Sequence, residues 1–190
     1  MRKLTYFVAQ TADGFICGPD GSFDFFPLAP DVTKYAAREY PETVPTHVRG
    51  TFGITAANRH FDTLLQGRIS YQIALDEGIT SPYAHMRQYV PSRTIEHSPD
   101  PAVRIVRDDP RELVRSLKRE EGDLGICLIG GAHLAGALLP EIDEMLVKRY
   151  PVVAGAGLPV FAGEFAPAPL KRVHTRGFNS GADFTLYRRA

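Results

Sequence analysis

Residues Gly125 to Leu139 read GICLIGGAHLAGALL. Ile126–Ile129 is a continuous apolar run, the kind buried on both faces of a parallel sheet. Ala132–Leu139 carries alanine and leucine at helical spacing. Gly130-Gly131 therefore stands where a buried strand hands over to a helix. Two readings of the pair compete. The glycines let strand and helix pack closely, or they let a phosphate approach the free N–H groups of the first helical turn. The location suits the second reading, because ligands of open α/β sheets bind beyond the carboxyl ends of the strands. The sequence contains neither G-x-G-x-x-G nor G-x-x-x-x-G-K-[ST], so no standard nucleotide fingerprint decides between them.

Outward from this stretch the same pattern recurs. Phe61–Gln66 is a short strand followed at once by Gly67-Arg68 and a helix-like Ile69–Leu75. Leu4–Gln10 is a β-type run ended by the turn-rich Thr11-Ala-Asp-Gly14. Cys17–Pro27 reads as a loop, and Asp31 is placed to cap a helix through about Tyr40. Pro41, Pro45, Gly50 and Gly53 leave room only for a short helix near Thr46–Phe52. Gln88–Thr94 and Val103–Arg107 read as strands, with Pro91 marking an edge or bulge in the first. Asp109-Pro-Arg-Glu112 opens a helix over Pro110–Glu120, with Leu113, Val114 and Leu117 on one face. A long strand over Glu144–Val153 and a short one over Leu158–Phe161 follow. The tail reads as two strands, Leu170–His174 and Phe184–Arg188, around Asn179-Ser-Gly181. Alternating strands and helices followed by antiparallel strands give one α/β domain over residues 1–190. It has three layers, a mixed, largely parallel central sheet and antiparallel C-terminal strands.

Composition narrows the function classes. The 190 residues are 44% apolar and 23% charged, with Lys+Arg and Asp+Glu balanced at 22 each. No global basic field invites nucleic acid or an anionic membrane. No apolar run approaches the ~18 residues of a membrane span. The opening MRKLTYFVAQTADG has no long apolar core and reads as a first strand, not a signal peptide. Cys17 and Cys127 have no metal-type spacing and suggest no disulfide framework, which fits a reducing cytoplasm.

Several side chains suit a phosphate-bearing ligand. Gly130, Gly131 and Ala132 form a diphosphate cradle in the second reading of the glycine pair. Arg68 follows a glycine at a strand end, where a guanidinium grips phosphate with paired hydrogen bonds or simply lies in solvent. Ser92-Arg93-Thr94 offers two hydroxyls and a guanidinium at another strand end, suited equally to a ribose phosphate and to a turn. Asp24 and Asp31 are the candidate proton donors or substrate-orienting groups. Phe23, Phe25 and Phe26 frame Asp24, and burial among them would raise its pKa; a turn or capping role is the alternative. Asn58, Arg59 and His60 precede the strand Phe61–Leu65; they suit an anionic substrate or a polar loop at the sheet's other end, and the start of a strand points away from the usual site, which favours the loop.

Four segments in order carry a resemblance. They are Ala9-Gln-Thr-Ala-Asp-Gly-Phe-Ile16, Asp62-Thr-Leu-Leu-Gln-Gly-Arg-Ile-Ser-Tyr71, Ile129-Gly-Gly-Ala-His-Leu134 with Leu138, and Ile142-Asp-Glu with Pro151-Val-Val-Ala-Gly-Ala-Gly-Leu-Pro-Val-Phe161. Together they resemble the reductase domain of bacterial riboflavin biosynthesis, a dihydrofolate-reductase-like fold, over all but residues 40–60. The resemblance implies a homodimeric NADPH-dependent reductase of a small heterocycle, either dihydrofolate or 5-amino-6-(5-phosphoribosylamino)uracil in kind. It implies that Ala9 meets the nicotinamide carboxamide through its backbone and that Asp13, Gly14, Phe15 and Ile16 form the loop over the ring. Gly67 and Arg68 would hold phosphate, with Arg68 favouring the 2′-phosphate of NADPH. Ser92, Arg93 and Thr94 would line the adenosine end. Gly130, Gly131, Ala132, His133 and Leu134 would bind the diphosphate. No metal ligands are expected. The chain departs from the riboflavin reductases at Phe15, where they usually carry lysine, and it has no zinc-deaminase motif. A non-catalytic nucleotide-binding or dimerisation module of the same fold is the alternative, and a deazaflavin cofactor is a third. The Pro41–His60 insertion, with Phe52 and its apolar neighbours, is expected to wall the substrate pocket or a dimer contact.

Overall fold

β1 (Leu4–Gln10) runs through the middle of the sheet, and its alternate side chains feed two cores. Leu4, Tyr6 and Val8 enter one cluster with Val114, Leu117, Ala135 and Leu138. Phe7 enters another, on the opposite face, with Val32, Ala36, Cys127, Leu146 and Phe184. The computed structural model describes residues 1–190.

The chain continues through β2 (Phe15–Cys17), α1 (Pro30–Glu39), a 3-10 turn (Pro41–Thr43), α2 (Thr46–Arg49), β3 (Phe61–Leu65), α3 (Arg68–Asp76), β4 (Arg87–Pro91) and β5 (Val103–Val106). Then come α4 (Pro110–Arg119), β6 (Gly125–Leu128), α5 (Ala132–Leu138), a second 3-10 turn (Leu139–Glu141), β7 (Glu144–Arg149), β8 (Leu158–Pro159), β9 (Leu170–Gly177) and β10 (Asp183–Arg189). Eight strands form one sheet in the order β5-β4-β3-β6-β1-β7-β10-β9. The first six are mutually parallel and the last two pair antiparallel. The three-layer α/β reading therefore holds, with α1 and α3 on one face and α4 and α5 on the other.

Local chemistry explains most boundaries. Asp109 caps α4 by accepting from Arg111 N at 2.8 Å, with Pro110 at the first helical position. β7 stops at Arg149 instead of reaching Val153, because Pro151 follows two residues later. β8 leaves the main sheet and pairs with β2 in a separate two-stranded ribbon. Pro91 closes β4, which lies inside the sheet with β5 beyond it.

The Pro41–His60 insertion serves the amino ends of the strands. Glu42 is fully buried, and its carboxylate accepts from the backbone N–H groups of Arg59, His60 and Phe61 at 3.4, 2.7 and 3.0 Å. His85, just before β4, meets Glu42 O at 2.9 Å through Nε2 and Thr46 Oγ1 at 2.7 Å through Nδ1. Burial lowers the His85 pKa, favouring the neutral ring. Phe52 stays exposed. The insertion thus braces β3 and β4 at the end away from the glycine turns. No helix is long and apolar enough to cross a membrane.

Candidate functional site

A crevice opens at the carboxyl ends of the central strands. β6 pairs with β1 only from Leu4 to Tyr6, whereas β7 accompanies β1 as far as Gln10. Beyond Tyr6, β1 therefore has a neighbour on one side only. Lys3 O accepts from Ile126 N at 2.8 Å on the β6 side, and Leu4 O accepts from Asp143 N at 3.0 Å on the β7 side. Alternation then turns the N–H and C=O of Ala9 toward the gap that β6 leaves. β3 and β6 are neighbours, but their following helices pass to opposite faces of the sheet. That reversal is where open α/β sheets bind ligands.

The two glycine turns meet across this gap. Gly67 N donates to Gly130 O at 2.6 Å, and a Cβ on Gly67 would lie 2.9 Å from Gly131 N. Gly67 is thus required for packing. Gly130 has φ +101°, which favours glycine, and the Gly130–Gly131 peptide bond is cis. A Cβ on Gly130 or Gly131 would meet nothing within 4 Å. These two residues face open space, so the close-packing role falls to Gly67 and the Gly130-Gly131 turn leaves room beside the backbone.

Two helices begin at the crevice without side-chain caps, α3 behind Gly67 and α5 behind Gly131. Their first-turn N–H groups are available to an anion. Arg68 is exposed at the start of α3, and no hydrogen bond or ion pair engages its guanidinium. His133 is exposed at the start of α5. Ala132 and Leu134 instead turn their side chains to the protein: Ala132 is buried and Leu134 packs against the core. Only their backbone is free to meet a ligand. Ser92 is buried and its Oγ accepts from Thr94 N at 3.2 Å and Ile95 N at 3.0 Å. It shapes the turn after β4, leaving Arg93 and Thr94 exposed.

The loop after β1 is held from within. Asp13 accepts from Thr11 Oγ1 at 2.6 Å, Ala154 N at 3.1 Å and Gly155 N at 2.8 Å. The Thr11 hydroxyl and the two amides hold its carboxyl down at about 2. Val160 N donates to Gly14 O at 3.1 Å, and Ala162 N donates to Ala132 O at 3.1 Å. Residues 151–163 therefore link the Asp13-Gly14-Phe15-Ile16 loop to the first turn of α5. Sequence reasoning quoted this glycine-rich segment but gave it no task.

Neither expected acid keeps the form expected of it. Asp24 is exposed. Phe25 and Phe26 stack on one another at 4.8 Å, and Phe26 packs on Tyr150 at 5.1 Å, so the aromatics do not bury the carboxylate. Asp31 lies in the first turn of α1, behind Ala29 and Pro30, and is not the cap. It accepts from Val32 N at 2.9 Å and Ser180 N at 3.0 Å. Partial burial opposes its ionisation, but the Ser180 bonds prevail and hold its pKa below the usual carboxylate value. Asp31 is an ionised tie between α1 and the β9–β10 turn.

Sequence reasoning missed Lys148. It lies on β7 in register with Ala9 and Phe184. Its Nζ sits over the Phe7 ring, 4.6 Å from the centroid. Burial pushes its pKa down to about 8, and no hydrogen bond or ion pair engages it. In the sequence it is one cation in Val-Lys-Arg-Tyr, which reads as the outward half of an alternating strand.

Two surface hollows of about 400 and 430 Å³ lie at the amino ends of the strands, one around Asp62, His85 and Arg104, the other around Tyr40, His60 and Arg188. They contain neither glycine turn. Asn58, Arg59 and His60 fall at this end, as their position before β3 implied.

Solved structures agree with this architecture. No protein-family model matches the chain. It is 29% identical over 199 residues to the uncharacterized protein YyaP of Bacillus subtilis (strain 168), covering 98% of this chain and 94% of that one. It is 27% identical over 162 residues to the uncharacterized YwjB of the same organism, covering 84% and 83%. Among solved structures it matches a protein provisionally assigned to riboflavin biosynthesis from Shewanella sp. PV-4, with TM-score 0.75, 21% identity and coverage of 100% and 99%. It also matches Enterococcus faecalis dihydrofolate reductase complexed with NADP(H), with TM-score 0.66, 15% identity and coverage of 98% and 96%. A Thermotoga maritima deaminase/5-amino-6-(5-phosphoribosylamino)uracil reductase matches with TM-score 0.65 and 15% identity, and this chain spans 57% of it. The chain has the dihydrofolate-reductase-like fold, the fold its four sequence segments resemble.

Proposed function

We propose that the chain is an NADPH-dependent reductase of a small heterocycle, of the dihydropterin or the phosphoribosylamino-pyrimidine kind. The observation that carries this reading is the crevice itself. Ala9 turns free backbone groups into it, Gly130 and Gly131 border it with open space, and two uncapped helices begin beside it.

The residues present fit a phosphorylated dinucleotide. The first-turn amides of α5, with Gly131 and His133, hold the diphosphate. Arg68 binds the 2′-phosphate, with Arg93 and Thr94 at the adenosine end. Ala9 N–H and C=O pair with the carboxamide and fix the ring's orientation. Phe15 and Ile16 cover the ring from the loop that Asp13 ties down. When bound, the reduced nicotinamide supplies a hydride. The chain's own contribution is to orient the ring, exclude water and present the acceptor on the α1 face.

The exposed edge strand β9, with Leu170 39% and Val173 49% exposed, supports a homodimer formed along that edge. The free Cys17 and the buried Cys127 suit a cytoplasmic setting. One observation favours the non-catalytic alternative: Asp24 is exposed and Asp31 is committed to Ser180, so neither is poised as an acid. Oxidation of NADPH, followed by nicotinamide absorbance with dihydrofolate and the riboflavin-pathway pyrimidine, separates the two. Turnover with either supports the reductase; tight binding without turnover of either supports the module.

A further inference from the structure

The α1 face beside the crevice is mainly apolar at its core. Phe7, Cys127, Leu146 and Phe184 line it with Val32 and Ala36 of α1. Ala9 lies two residues beyond Phe7, and Lys148 two beyond Leu146, so both share this face. They are also direct partners across β1 and β7, about 4.8 Å apart between strands. Lys148 Nζ leans over Phe7, and the residue as a whole is half-buried.

An ammonium held among apolar groups without a partner is costly, and proteins ordinarily pair such a charge. The carboxylates nearby are engaged elsewhere. Asp31 accepts from Ser180 N, and Glu42 accepts from the amides of Arg59, His60 and Phe61. Glu144 pairs with Lys3 and Arg188, and Asp183 pairs with Arg149. The other polar groups turned toward this face are the Cys127 thiol on β6, Tyr35 and Tyr40 on or after α1, Tyr83 before β4, Tyr150 after β7, and Arg176 of β9. Arg176 lies over the Tyr35 and Phe178 rings. None of them bonds to Lys148.

Resting on the nicotinamide reading above, we propose that Lys148 is the acceptor-binding catalytic acid. Its ammonium donates to a ring carbonyl oxygen or ring nitrogen of a heterocycle held on the side of the crevice facing α1. The acceptor carbon receives the hydride of the reduced nicotinamide and forms a new C–H bond. The conjugated π pair moves to the heteroatom, which takes the proton released as a Lys148 N–H bond breaks. The heterocycle gains two electrons, the nicotinamide loses two, and the Lys148 amine regains its proton from water. The substrate class is a conjugated heterocycle whose ring oxygen or nitrogen becomes anionic as the hydride arrives. The geometry also supplies the acid that Asp24 and Asp31 do not.

Lysine side-chain NMR tests this on the intact protein, with the Lys148 resonance assigned by its loss in Lys148→Gln and the Gly131 amide reporting cofactor occupancy. Both nucleotides are expected to move the Lys148 resonance. NADP⁺, whose ring is cationic, is expected to lower its pKa further than NADPH does. Barbiturate, a ring-carbonyl anion, then serves as the acceptor probe on the NADP⁺-loaded protein. Its affinity is expected to fall at least tenfold in Lys148→Gln and to recover in part in Lys148→Arg, with the Gly131 amide showing the nucleotide site fully loaded in each protein. A Gly131 amide that moves while Lys148 stays still overturns the proposal and leaves the cofactor reading standing. Barbiturate binding that is absent, or equal in wild type and Lys148→Gln, also overturns it. A Gly131 amide that responds to neither nucleotide removes the cofactor reading, and this proposal with it.

Discussion

Replacing Gly67 by alanine places a methyl group between the two strand ends that form the crevice. The new Cβ would lie 2.9 Å from Gly131 N, 3.1 Å from Gly130 O and 3.4 Å from Gly130 C. All three are backbone atoms, so no rotamer change relieves the contact. Gly67 itself has φ −70° and ψ 159°, which any residue adopts, so the cost is one of contact and not of conformation. Overpacking of this kind costs about 1–3 kcal/mol. Separating the turns also weakens the 2.6 Å bond from Gly67 N to Gly130 O, a further ~1 kcal/mol. At roughly 2–4 °C per kcal/mol for a chain of this size, Tm should fall by roughly 5–15 °C. Scanning calorimetry measures the shift, and Arg68→Ala is the control. Arg68 is exposed and unengaged, so its loss should change stability by less than about 0.5 kcal/mol. Nucleotide affinity should fall in both variants for different reasons, a displaced cradle in one and a lost guanidinium in the other. A Gly67→Ala protein with wild-type Tm and wild-type nucleotide affinity would refute the account of the crevice.

Other expectations concern the supports around the site. Glu42→Ala strands three backbone N–H groups and should cost about 3–5 kcal/mol in urea denaturation, while nucleotide affinity in the folded protein is retained; a loss below about 1 kcal/mol would show the insertion to be held in another way. Asp13 ionises at about 2 in the folded protein, below its ordinary value. Its contribution is therefore complete above the ordinary carboxylate pKa of ~3.9 and is lost as pH falls toward about 2. Stability curves against pH should converge for wild type and Asp13→Asn over that window, and parallel curves would contradict the tie to Ala154 and Gly155. Sedimentation should give a dimer mass for wild type and a monomer for Val173→Asp, and a monomeric wild type would remove the β9 edge as an interface.

What the sequence disclosed follows from the length and regularity of each signal. β1, β3 and α4 are legible because apolar periodicity, a cap or a proline marks each one. The Gly67 and Gly130-Gly131 turns are legible because glycine at a strand end is a local signal. β2 and β8 are too short to show a period, and their pairing joins segments far apart in the chain. A buried carboxylate such as Glu42 looks like any surface glutamate until the amides around it are assembled. Ser92, Asp13 and Asp31 were legible as polar groups in the right neighbourhood. Their hydrogen bonds are tertiary, however, and turn all three toward the protein. Lys148 was hidden by the reverse effect, since a cation near a strand end reads as solvated until Phe7 is placed beneath it.

The central claim is a nucleotide site in which Arg68 reads a 2′-phosphate. Titration calorimetry of NADPH and NADH against wild type and Arg68→Ala tests it most directly. The account predicts tight NADPH binding, NADH binding weaker by roughly tenfold or more, and convergence of the two in the variant through loss of NADPH affinity. Binding of neither nucleotide by wild type, or equal binding of both, would contradict it.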